Sequence, residues 1–247
     1  MTKGKTIIII GTDTGIGKTI VTGGLAYYFK TLGLKTGIQK WVSTGDSEHR
    51  VSSDLLLALY FMEYGSFDIV VQKMIRLIAK YQNLVNRMNP YSFPFPASPD
   101  LSASLSGERV DVEKIVNAYD RLRIEFDFLI IEGVGGLLVP LNEKTLLIDV
   151  IQLLEIPVVL VSINTLGTIN HTLMTVESLK AREMQILGII MNNACEEKGV
   201  IKEGNVTSIK MFSDVEILGT LGDKSDLNVF MKEISGIGEK IKASVKL

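Results

Sequence analysis

Two lysines and two carboxylates in this sequence stand beside apolar runs or at the end of a glycine loop, and their neighbours suggest a shared chemistry. Residues 7–10 are four isoleucines, followed by the loop GTDTGIGKT at 11–19 and a segment of helical pattern. A strand, a glycine-bearing loop and a helix in that order form an anion cradle. Backbone N–H groups and a helix N-terminus bind phosphate without needing a particular side chain. The loop residues Thr12, Asp13, Thr14, Gly15, Ile16, Gly17, Lys18 and Thr19 are therefore expected to hold a nucleotide. Gly15 and Gly17 let the backbone approach the phosphates, Lys18 reaches the terminal one, and the Thr19 hydroxyl can ligate Mg²⁺. The common spacing, Gly-x4-Gly-Lys-Thr, would place glycine at position 12, where this chain has Thr12. We read this as a variant of the loop.

A nucleotide site needs a second anchor for its metal. The stretch FDFLIIEGVGG (126–136) supplies one in Glu132, at the end of an apolar run and before a glycine turn. A carboxylate there can hold Mg²⁺ directly or through water. Asp54, in SSDLLLAL, is either a third ligand or a helix N-cap, and its residue type alone favours the cap. Lys40 ends the run TGIQK. It either points into the ligand crevice or snorkels to solvent.

These residues are spaced by a regular alternation of apolar runs and helical patterns. Strands are expected at 6–10, 36–40, 126–131, 157–163, 187–191 and 215–218. Helices are expected near 18–32, 51–63, 111–124, 168–183, 199–211 and 225–244. The strands are short, β-branched and almost continuously apolar, as when helices cover both faces. The fold class that follows is α/β, a doubly wound, mainly parallel sheet of the P-loop type, with ligands beyond the carboxyl ends of the strands. One domain over 1–247 is expected. Residues 65–106 form an irregular excursion holding a helical stretch (DIVVQKMIRLIAKYQ) and a proline-rich one (NPYSFPFPASPD). It is either a lid or substrate wall or a surface excursion on the sheet edge.

The bulk numbers agree with this reading. A chain of 247 residues with 26 basic and 28 acidic groups has no charge excess for nucleic acid or an anionic membrane. Cys195 is the single cysteine, so no internal disulfide can form and a reducing, cytoplasmic compartment is expected. The apolar run after Lys5 is too short for a signal-peptide core, and none later reaches a membrane span.

Taken together, GTDTGIGKT, QKWVSTG, SSDLLLAL, NPYSF, ASPDLSAS, IEGVGGLLVPL, LGTINHTLMT and IMNN resemble, in order, the motifs of the dethiobiotin synthetase family, ATP-dependent carboxylases of biotin synthesis. The resemblance spans about residues 5–221. It implies ATP and Mg²⁺ as cofactors, and 7,8-diaminopelargonic acid and CO₂ as substrates. Lys18 would then stabilise the γ-phosphoryl group and Lys40 the carbamate, with Thr14 and Thr44 hydrogen-bonding beside them. Thr19, Asp54 and Glu132 would gather around the metal, and Asn192 would contact adenine. Gly133, Gly135 and Gly136 would line the diamine. Asn170, on a helix lent by a partner subunit, would hold its far carboxylate, which implies a homodimer. His171 would be a cap or packing residue rather than a base.

Three positions depart from the family pattern. Trp41 stands for a proline, Asp100 for a histidine, and Gly222 for another proline. The stretch between Asp54 and Asn89 is also long for the family. A different class, the MinD- or ParA-like switch ATPases, usually carries a lysine where this loop has Asp13. Nor is a basic amphipathic C-terminal helix expected, because Gly236 and Gly238 interrupt it. Lys18, Lys40, Asp54 and Glu132 together argue against a non-catalytic regulatory domain of the same fold, which has no need of both lysines.

Overall fold

The computed structural model describes residues 4–46, 51–222 and 226–247. Asp223 of the LGTLGD stretch and Ser225, the first residue of the expected last helix, lie outside the described residues.

Six parallel strands form the main sheet. Numbered in chain order, they are β1 (Lys5–Gly11), β2 (Thr36–Lys40), β5 (Phe128–Glu132), β8 (Val158–Ile163), β9 (Ile186–Asn192) and β10 (Ile217–Leu221). Their spatial order is β10-β9-β8-β1-β5-β2. All six expected strands are present, with ends shifted by a few residues. Ile7, Ile8, Ile9 and Ile10 are at most 1% exposed, because β1 lies between β5 and β8 and both its faces are covered. The chain leaves β1 in one direction for β2 and later returns on the other side to β8. A crevice therefore opens at the carboxyl end of β1, where such folds bind ligands.

Helices α1 (Lys18–Thr31), α2 (Ser53–Tyr64), α6 (Val112–Glu125), α8 (Thr168–Lys180), α9 (Gly199–Ser213) and α10 (Leu227–Val245) fall in the expected places. α10 corrects one expectation: it runs unbroken through Gly236 and Gly238. A Cβ on Gly238 would stand 2.3 Å from the Tyr28 ring, so this glycine admits the close approach of α1 rather than ending the helix. The apolar face of α10 (Phe230, Ile234, Ile237, Ile241) is buried, so it is spent on packing.

The excursion is more ordered than its prolines suggest. It contains α3 (Val71–Tyr81), a short α4 (Val85–Met88), strand β4 (Tyr91–Phe93) and α5 (Pro99–Leu105). β4 pairs in parallel with a strand after Lys40, β3 (Val42–Thr44), so the excursion buttresses the segment that follows β2. The hairpin β6 (Pro140–Asn142) with β7 (Thr145–Leu146), and helix α7 (Leu147–Leu153), were not foreseen from the sequence. Among the described residues, no helix is long and apolar enough to cross a membrane.

Candidate active site

The phosphate loop leaves β1 at Gly11 and enters α1 at Lys18. Gly17 is the N-cap of α1 with φ 96°, and a Cβ there would lie 2.3 Å from Asn192 Nδ2. Only glycine meets both conditions without strain. Asn192 in turn donates to the Ile16 carbonyl at 2.7 Å and accepts from Ala194 N at 3.1 Å, so it pins the loop to the end of β9. Lys18 folds back over the loop, with Nζ 2.6 Å from the Asp13 carbonyl and 2.9 Å from that of Gly135. Burial, the largest influence, brings its pKa down from 10.5 to about 8 against the pull of Glu132. An ammonium stripped of water in this way gains strongly from an arriving anion.

Sheet register explains the second half of the site. β2 and β5 pair so that Lys40 lies directly opposite Glu132, and Ile9 of β1 flanks Glu132 on its other side. Lys40 Nζ is 2.7 Å from Glu132 Oε1 and 2.5 Å from Asp54 Oδ2. The Thr19 hydroxyl donates to the same Glu132 oxygen at 2.9 Å. Lys40 and Glu132 are 4% and 1% exposed. Burial of Lys40 opposes its charge, but Glu132 and Asp54 outweigh that and raise its pKa. Asp54 moves the opposite way: burial would raise it, but Lys40 holds it below its usual value. Asp54 is not the cap of α2. Ser52 is, accepting from Leu55 N at 3.3 Å, which leaves the Asp54 carboxylate free to face Lys40.

Thr14, Gly15, Gly17, Lys18, Thr19, Lys40, Thr44, Asp54, Glu132 and Gly135 surround one cavity of about 240 Å³. Among the described residues no cluster of three or more His, Cys, Asp or Glu stands ready to hold a metal. The residues still fit Mg²⁺, which keeps several waters and takes only one or two carboxylates beside phosphate oxygens. Glu132 Oε2 is buried and has no hydrogen-bond partner among the described residues, although such atoms are normally satisfied. A cation beside Thr19, Asp54 and Glu132 would satisfy it.

A second cavity, of about 360 Å³, adjoins the first across the loop. Thr12, Asp13, Gly136, Leu137 and Val139 line one side of it, and His171, Met174 and Thr175 of α8 line the other.

The comparisons with known proteins separate fold from family. A family model for an AAA domain matches residues 5–229. The chain is 34% identical to the ATP-dependent dethiobiotin synthetase of Methanococcus vannielii, over 93% of this chain and 99% of that one. With the enzyme of the same name from Thermodesulfovibrio yellowstonii it shares 36% identity over 89% of each chain. The chain belongs to the dethiobiotin synthetase family. Among solved structures, it is similar to a plasmid partition protein of Borrelia burgdorferi (TM-score 0.59, 15% identity, 98% of this chain and 100% of that one). It is also similar to the septum site-determining protein MinD with Mg-ADP from Pyrococcus horikoshii (TM-score 0.55, 17% identity, 99% of each). At that identity the likeness shows the P-loop fold and nothing more.

Against the synthetase family pattern, most residues singled out from the sequence come together in the two cavities; four do not. Ile16 is buried beneath the loop. Gly133 lines neither cavity, since its N–H donates to Ile9 O at 2.9 Å between β5 and β1. Asn170 is exposed in the first turn of α8 and also lines neither. Asn192 spends its amide on the loop and its neighbour, as described above. No residue of the excursion lines either cavity. Trp41 is 1% exposed, and its indole N–H donates to Gln39 Oε1 at 3.0 Å; the family's proline position thus becomes a buried anchor behind β2. Sequence reasoning missed Val134, which lines the first cavity, and, in the second, Leu137, Leu138 and Val139 together with Met174, Thr175 and Ser178 at helical spacing.

Proposed function

We propose that this chain carboxylates and cyclises 7,8-diaminopelargonic acid to dethiobiotin with ATP and CO₂, acting as a homodimer in the cytoplasm. The observation that carries this reading is Lys40. It is a buried, charged lysine held by Glu132 and Asp54 at the rim of the phosphate-loop cavity. A plain ATPase needs Lys18, whereas a second buried cation suits an anionic nucleophile.

The diamine supplies that nucleophile. One amine adds to CO₂, loses a proton and becomes a carbamate. A carbamate oxygen takes the γ-phosphoryl group of ATP, ADP leaves, and a mixed anhydride forms. The neighbouring amine then attacks the carbamate carbon, phosphate leaves and the ureido ring closes. The difficulty is one anion attacking another, so the protein's part is positive charge and positioning.

Lys18 stabilises the γ-phosphoryl group, and Lys40 exchanges a carboxylate partner for the carbamate. Thr14 and Thr44 orient the reacting oxygens from the cavity wall. Thr19, Asp54 and Glu132 would hold Mg²⁺, which neutralises charge on the phosphates. The loop from Thr12 to Thr19 binds the nucleotide, with Asn192 setting its base-side edge. Gly135 and Gly136 let the diamine lie between the two cavities, while Gly133 serves by tying β5 to β1. Asn170 of the partner subunit would meet the substrate's carboxylate. Exposed Leu138 and Met174, which line the second cavity, support a covering partner.

The test is a coupled ADP-release assay with diaminopelargonate, bicarbonate and Mg²⁺. Release that depends on the diamine is expected. ATP turnover indifferent to it would reject the synthetase and favour a switch ATPase.

A further inference from the structure

We propose that Asn89 is a positioning residue that sets the Lys40–Asp54 pair, an assignment that rests on the reading above. Asn89 follows α4 in the excursion and is 5% exposed. Its amide nitrogen donates to the carbonyls of Lys40 (3.0 Å) and Tyr91 (2.8 Å). Its oxygen accepts from Ser52 N (3.2 Å) and from the Ser43 hydroxyl at the longer distance of 3.4 Å. An asparagine has two N–H donors and room for two acceptor contacts, so the group is fully used.

The partners of this amide belong to the elements that carry the cavity's charges. Among the described residues, β2 is the edge strand of the sheet, bonded to β5 alone. On the other side of Lys40's backbone no strand lies among the described residues, and the Asn89 side chain takes that place. Ser52 is the N-cap of α2, two residues before Asp54. One rigid amide thus joins the main chain at Lys40 to the main chain at the start of α2. Two further bonds fix the frame around it. Gln39 Nε2 donates to Arg87 O at 2.9 Å, and Tyr91 N donates to Trp41 O at 3.3 Å. Pro90 also holds Asn89 out of the helical region, which ends α4 where the amide can turn inward. The long excursion, which lines no part of the cavity, acts on it through this residue.

The substitution Asn89→Asp keeps the acceptor but turns a second oxygen toward two carbonyls; Asn89→Ala removes the link and is the fallback if the first fails to fold. Neither touches the phosphate loop. We expect kcat for diamine-dependent ADP release to fall about tenfold or more, since small misplacements in such sites are costly, while KM for ATP stays within about twofold. In calorimetry with a non-hydrolysable ATP analogue, we expect metal-free affinity to hold and the gain on adding Mg²⁺ to shrink at least about fivefold. Glu63→Gln, at the far end of α2, is the control for lost stability and should leave kcat alone. The proposal is overturned if an Asn89 variant keeps wild-type kcat and the wild-type Mg²⁺ gain. It is also overturned if kcat and both affinities fall together in step with the folded fraction. If the wild type itself shows no diamine-dependent turnover, the synthetase reading fails, and the Mg²⁺ calorimetry still decides the role of Asn89.

Discussion

Helix α2 carries a lysine–carboxylate cluster at each end, and the two differ in what they leave unfinished. Near its C-terminus, Glu63 joins three helices. Oε2 accepts from Lys30 of α1 at 2.8 Å, and Oε1 accepts from Lys80 (2.7 Å) and Tyr81 (2.6 Å) of α3. Both oxygens are used, and the result is a brace. At its N-terminus, Asp54 and Glu132 share Lys40, yet Glu132 Oε2 stays buried with no partner among the described residues. Evolution rarely leaves such an atom idle without a use for it. The first cluster is complete in itself, and the second keeps a carboxylate oxygen open to a cation at the cavity.

Four substitutions can break or sharpen that contrast. Lys40→Ala should lower turnover about 10²-fold or more, the scale of losing a preorganised donor in a transition state; steady-state kinetics would show it, and near-normal turnover would sink the assigned role. Glu132→Gln should keep a folded protein but raise the Mg²⁺ concentration needed for half-maximal rate about tenfold, the scale of losing a group that orients a metal site. Titrating Mg²⁺ at fixed ATP checks it.

Glu63→Gln should leave turnover alone and cost about 1–3 kcal/mol of stability at neutral pH, discounting for solvent near the lysines. Burial alone would raise the pKa of Glu63, but hydrogen bonds from Lys30, Lys80 and Tyr81 hold it at about 2 against its usual 4.5. A lowered carboxylate pKa stabilises the fold fully above the unfolded value and is lost as pH falls through the folded one. The gap between wild type and variant in denaturant melts should therefore be full above about pH 5 and close toward about pH 2. Smallest of all is Arg109→Gln. Its partner Glu143 is as exposed as it is, so neither melting nor turnover should change measurably.

Much of the site was legible because its signals are local. The run of isoleucines, the loop glycines and Lys18-Thr19 occupy consecutive residues, and the placing of Lys40 and Glu132 at strand ends follows from where apolar runs stop. Their direct opposition across β2 and β5 was not legible, since register depends on the whole sheet. The part played by Asn89 was hidden for the same reason: its partners at Lys40 and Ser52 are distant in sequence. Gly236 and Gly238 misled because intrinsic propensity counts against glycine in helices, while the packing of Tyr28 on α10 outweighs it. The hairpin 140–146 and α7 were missed because strands of three and two residues and a helix of seven are too short for either period to stand out.

The most direct test of the central claim is to follow ¹³C from bicarbonate into product while counting ADP. If Lys40 and the Glu132 cluster serve carboxylation, each ADP released should accompany one labelled carbon in the ureido ring, and Lys40→Ala should lose both together. ADP formed without label entering the product would contradict the account.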